Sequence, residues 1–166
     1  MKKLLMKLNG LCLVISSILI PFVASAKDLS NFMFTKSCVE CDFSNSQFPS
    51  ANLSETELEH VNFEGSDLTN VNFTKSKLYR VVFSDANLTG ANFSESKITS
   101  FRKVNEDFKN TILLNANFTG AELHSVNFEG AKISGANFTS AELELVTIVG
   151  KLENEVNFSN INYYWK

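Results

Sequence analysis

Large apolar residues recur at every fifth position from Phe43, through Phe48, Leu53 and Leu58, and stay in phase as far as Phe158 and Tyr163. Two positions before almost every one stands a small or β-branched residue, as at Ala51, Val61, Ser66 and Ala86, and the residue between is mostly polar, with Asn the recurrent choice. A period of five is neither the 3.6 of a helix nor the 2 of a long strand. Within one unit, Ala91, Asn92 and Phe93 alternate apolar, polar, apolar, which puts the outer two on one side of a three-residue strand. Ser94 and Glu95 are then the corner. A chain that makes a short strand and a corner every five residues must coil, and stacked coils share an apolar interior. The pattern predicts a solenoid, with Asn facing outward and a small residue beside a large one filling a narrow tube.

Two blocks break the pattern. Phe101–Asn105 puts Lys103 at the centre, and Lys151–Glu155 puts Glu153 there. Neither charge can enter an apolar tube unpaired without a cost of several kcal/mol. The order of large residues also slips. Phe occupies centres 63, 73, 83 and 93 in the first half but 108, 118, 128 and 138 in the second. A bulge near 100–106, looping out one block's worth of chain, would both take Lys103 into water and absorb the slip. Arg102 and Lys103 would project from it and are the candidate contact loop. The block near 151–155 is expected to be irregular.

Units such as ANLTG, ANFSE, VNFEG and ANFTS resemble the pentapeptide-repeat family, whose pattern is A(D/N)Lxx. The resemblance runs from Cys41 to Trp165. It implies an all-β, right-handed quadrilateral β-helix with four pentapeptides per coil, here about six coils at roughly 4.8 Å each, a rod near 30 Å long. On that geometry residues 20 apart stack, and with the bulge near 100–106 the spacing there becomes 25, so that Phe83 stacks on Phe108, Leu88 on Leu113 and Phe93 on Phe118. It fixes no activity. Cytoplasmic members resemble DNA in their acidity and bind DNA gyrase, which is the alternative function if the N-terminal leader is not an export signal. At the C-terminus Tyr163, Tyr164 and Trp165 either cap the last coil or form a homodimer contact, as the ends of family members do.

Outside the repeat, Met1–Ala26 runs from Lys2, Lys3 and Lys7 through the apolar stretch Leu11–Ile20 to Ala24-Ser25-Ala26. That order reads as a signal peptide, and the apolar run, broken by Pro21, is short for a spanning helix. Export to the periplasm or beyond is expected, with no membrane span after cleavage. The three leader lysines are among 15 basic residues against 18 acidic, so the mature chain is more acidic than the formal −3 of the whole. Acidity disfavours direct contact with nucleic acid phosphates and leaves protein partners open. Residues 27–40 lack the clean repeat and are read as an N-terminal cap, with the repeat domain at 41–166.

Cys38 and Cys41 are the cysteines that follow the leader. In an exported chain such a pair can be a disulfide, a redox-active pair or half of a metal site. A structural disulfide joining cap to coil is the preferred reading, and a thiol–disulfide redox protein the weaker alternative. His60 and His124 fall on separate repeats at corner or outward positions and are expected to be solvated. The Asn-x-Ser/Thr spellings are generated by the repeat. With no nucleophile–base grouping, phosphate loop or ligand set, the sequence points to a non-enzymatic, cofactor-free rod that binds a protein partner through an outer face or a loop.

Overall fold

The computed structural model describes residues 7–8, 11–12, 35–100, 107–149 and 156–164. Within them two local devices set the pentapeptides, the first general and the second found where Asn or Asp precedes the centre. Apart from Ser100, the residue closing each described block is left-handed, with φ between 53° and 59° at non-glycine positions such as Asn70, Lys75 and Glu95. On three of the four sides the corner is closed by a backbone hydrogen bond from the next block's first residue to the central carbonyl, as from Val71 to Leu68 at 3.1 Å. The second device is the residue before the centre. Asn72 Oδ1 accepts the backbone N–H of Thr74 at 3.0 Å and its hydroxyl at 2.5 Å, and Asn117 and Asn137 do the same for Thr119 and Thr139. This side-chain mimic of a turn is a known property of Asn and Asp. The outward Asn therefore holds the corner, and the Asn-x-Ser/Thr spelling is its signature.

Strands β1 (Lys7–Leu8) and β2 (Leu11–Cys12) form a small antiparallel pair. The solenoid presents one side of three-residue strands: β3 (Ser37–Val39), β4 (Glu57–Glu59), β5 (Lys77–Tyr79), β6 (Lys97–Thr99), β7 (Glu122–His124), β8 (Glu142–Glu144) and β9 (Asn162–Tyr164). They pair in sequence order as one seven-stranded parallel sheet, which we call the strand face. The other three sides are ladders of single bridges, such as Asn52–Asn72–Asn92.

Inside, the columns sort by size. Two opposed columns are phenylalanine, Phe43–Phe63–Phe83–Phe108–Phe128 and Phe73–Phe93–Phe118–Phe138–Phe158, with stacked rings 4.8 to 5.5 Å apart within a column. Across the tube the two columns meet edge to face, as Phe83 does with Phe73 at 5.8 Å. Leu, with Cys38, Phe48, Ile98 and Ile133 at intervals, fills the remaining two. Small first residues such as Ala86, Ala91 and Ala116 lie buried between them. At Thr56, Ser66, Ser96 and Thr111 the hydroxyl of that residue donates to a central carbonyl, as Thr111 Oγ1 does to Phe83 at 2.9 Å.

The step between coils is 20 residues up to β6 and 25 from β6 to β7, where Lys97 pairs with Glu122 and Ile98 with Leu123. The bridged sides shift alike, Asn87 to Ile112 and Asn92 to Asn117, and Phe83 stacks on Phe108 at 5.0 Å. Arg102 and Lys103 lie outside the described residues, as does the rest of 101–106. So do 150–155, across which the step from β8 to β9 stays at 20.

The ladder begins earlier than the sequence pattern shows. Residues 35–40, read as part of the cap, include β3, and Cys38 is a central residue stacked in register on Leu58. Lys36 stands where the small inward residue belongs and takes a left-handed φ of 54°, so the first rung is disguised in sequence. Apart from β1 and β2, the rest of the leader and cap segment is outside the described residues.

Candidate functional site

Because the strand face is the side with true strands, residues on either side of each inward centre project from it in two columns. The first reads Glu57, Lys77, Lys97, Glu122, Glu142 and Asn162; the second includes Glu59, Tyr79, Thr99, His124 and Glu144. Lys77 Nζ meets Glu57 at 2.6 Å, and Lys97 Nζ meets Glu122 at 2.7 Å. The hydrogen bond and charge of Glu122 raise the Lys97 pKa, which keeps it cationic. His124 Nδ1 lies 2.9 Å from Glu144. A groove of about 420 Å³ runs over this part of the face, lined by Lys97, Glu122, His124, Glu142 and Glu144 with Leu123 at its floor. It straddles the 25-residue step.

A smaller hollow of about 210 Å³ sits at the neighbouring corner, between His60, Arg80, Ser100 and Asp107. Arg80 Nη1 donates to His60 Nε2 at 3.3 Å, and the imidazole stacks on Tyr79. Ser100 Oγ donates to Asp107 Oδ1 at 2.5 Å, and the Asn127 N–H donates to Oδ2 at 3.2 Å. Ser100 and Asp107 are both buried. Burial pushes the Asp107 carboxyl above its ordinary range, opposed by the hydrogen bonds from Ser100 and Asn127. Ser100 is bonded to the carboxylate and His60 to Arg80, so these side chains do not form a serine–imidazole relay of the kind acyl transfer requires. Their evident work is to tie together the two chain ends that flank 101–106.

Sequence reasoning missed Asp107. It occupies the position that the repeat normally gives to Asn, and the register slip was the one signal that would have set it beside Ser100. The two histidines lie part-exposed on the outside of separate repeats, and each also has a polar partner on the adjacent coil. Cys38 and Cys41 are joined by a disulfide with Cα atoms 6.0 Å apart, and both are buried. Tyr163 and Tyr164 belong to β9, the last rung; Trp165 is outside the described residues. Among the described residues no group of three or more His, Cys, Asp or Glu could hold a metal ion, and no helix is long and apolar enough to cross a membrane.

The chain belongs to the pentapeptide-repeat family: the profile described as "Pentapeptide repeat region" matches residues 36–105, and that of "Pentapeptide repeats (8 copies)" matches 107–139. The boundary between the two matches falls at the register step. Among solved structures the chain is similar to alr5209, a pentapeptide repeat protein from Nostoc Pcc 7120, at 20% identity and a TM-score of 0.48, over 88% of this chain and 100% of that one. It is also similar to a pentapeptide repeat protein of the Arabidopsis thaliana thylakoid lumen, at 24% identity and a TM-score of 0.37, over 69% and 70%. A third is QnrB1, a plasmid-mediated fluoroquinolone resistance protein, at 19% identity and a TM-score of 0.38, over 74% and 84%. No curated protein matches the chain significantly in sequence.

Proposed function

We propose that this protein is a non-enzymatic interaction rod, exported by its leader, that holds a protein partner on its strand face. The observation that carries the reading is the groove between Lys97 and Glu144 on the seven-stranded side. It offers charged, exposed side chains at fixed intervals over an apolar floor, on a scaffold whose interior is packed throughout. Rigid presentation lowers the entropy lost on docking. Export rests on the basic, apolar and small-residue order of Met1–Ala26, and N-terminal sequencing of envelope material should find Lys27 first. Docking is tested by affinity capture from the native envelope fraction. The wild-type rod should retain a partner that the Glu142→Lys, Glu144→Lys variant loses. Equal retention by both would remove the strand face from the account.

A further inference from the structure

The first column of the strand face has an order that no single ion pair explains. From β4 to β9 it runs Glu57, Lys77, Lys97, Glu122, Glu142, Asn162, that is, minus, plus, plus, minus, minus, neutral. Lys97 and Glu122, at its middle, are brought together by the 25-residue step. Glu142 makes no ion pair among the described residues. Two positive rungs followed by two negative ones are complementary to the same sequence read backwards.

We infer that the strand face docks against the strand face of a second copy of this chain, in an antiparallel pair whose two-fold axis lies along the strands between β6 and β7. The inference rests on the reading of this face as the docking surface and names its partner. A two-fold axis in that place sets Lys97 opposite Glu122 of the second copy and Lys77 opposite its Glu142, each contact occurring twice by symmetry. In the second column Thr99 faces His124, and Tyr79 faces Glu144. No like charges meet.

Other registers fail on charge. An axis between β5 and β6 sets Lys77 against Lys97 and Glu57 against Glu122. An axis between β7 and β8 sets Glu122 against Glu142. An axis on β5, β6, β7 or β8 sets Lys77, Lys97, Glu122 or Glu142 against itself. An axis between β4 and β5 avoids like charges, but it overlaps only four rungs and makes two charge contacts instead of four. A parallel pair, with its axis along the rod, brings the two columns together on each rung, so that Glu57 meets Glu59 and Glu142 meets Glu144. Juxtaposed like charges select strongly against a register. The groove lies over the axis, so both copies contribute its walls.

The footprint is modest. Six overlapping rungs span about 24 Å and a three-residue strand about 10 Å, well below the roughly 800 Å² per partner of a standard interface. The pair is therefore weak and electrostatic. Salt at about 1 M, where the Debye length falls to about 3 Å, should disperse it.

The test uses sedimentation equilibrium of the mature chain with its disulfide intact. Wild type should associate as concentration rises and dissociate in high salt. Lys97→Glu and Glu122→Lys should each weaken association by about tenfold or more, because each sets like charges across the axis twice. An equimolar mixture of the two variants should restore it, since every contact in the mixed pair is again between opposite charges. If either variant loses its circular dichroism spectrum, Lys77→Glu and Glu142→Lys form the second such pair. A wild type that stays monomeric up to about 1 mM, or a mixture no better associated than its components, would overturn the inference. If that monomer still captures another envelope protein through Glu142 and Glu144, self-docking alone has failed. If the capture is lost as well, the strand-face reading falls with it.

Discussion

Replacing Phe83 with Ala removes a ring at the centre of the longest packed region. Phe83 is fully buried, stacked between Phe63 at 5.5 Å and Phe108 at 5.0 Å and edge-on to Phe73 at 5.8 Å and Phe93 at 6.0 Å. Truncating a buried Phe costs about 3–5 kcal/mol, and the cost grows with the cavity that remains. Here the cavity can scarcely close. The wall beside it is pinned by backbone bonds to the coils on either side, from the Phe83 N–H to Asp107 and from the Phe63 N–H to Val82. We expect about 4 kcal/mol. Phe158, half-buried on the last coils and stacked on Phe138 at 5.1 Å, should cost only about 1–2 kcal/mol on truncation, because less apolar surface returns to water. Urea titrations followed by circular dichroism give both values, provided the transitions remain two-state with similar slopes. A Phe83→Ala cost below about 2 kcal/mol, or one equal to that of Phe158→Ala, would refute the continuous core.

Three further outcomes follow from local geometry. Gly90→Ala should destabilise by more than about 1 kcal/mol, since φ is +68° and a Cβ there would run into Asn70 Oδ1 on the coil before; a neutral effect in thermal melts would count against the tight corner. Asp107 has a raised pKa in the fold, so the folded state holds its proton more tightly than the unfolded chain, whose Asp titrates near about 3.9. Stability should therefore fall as pH rises from there through the raised value, and Asp107→Asn should flatten that segment of the pH–stability curve, whereas an unchanged slope would place the cause elsewhere. Cys38 and Cys41 should yield no free thiol, and the Cys38→Ser, Cys41→Ser variant should lose about 2 kcal/mol for so short a loop; two titratable thiols at these positions with an unaltered melting temperature would remove the staple.

The repeat, the inward columns and the 25-residue step were legible because each rests on residue size and period, which a narrow tube makes strict. Phe83 and Phe108 could be matched from the Phe and Leu order alone. The first rung was not legible, because Lys36 and Cys38 replace the small and large residues that mark a block. The role of Asn72, Asn92 and Asn117 was hidden for another reason. Alternation says which side of a strand they face, but only the corner conformation shows their Oδ1 atoms closing it. The strand-face columns depend on both facts at once. Lys97 and Glu122 become neighbours only after the step has been counted, and that side is flat only because its blocks make three-residue strands.

Site-specific photo-crosslinking reports which side of the rod a partner covers. A photoreactive residue at Glu142 on the strand face, and separately at Lys132 on a bridged side, is placed in the full-length chain and illuminated in intact cells. The account predicts a discrete protein adduct from position 142 and none from 132. Equal adducts from both, or none from 142, would contradict a rod that docks its partner on the strand face.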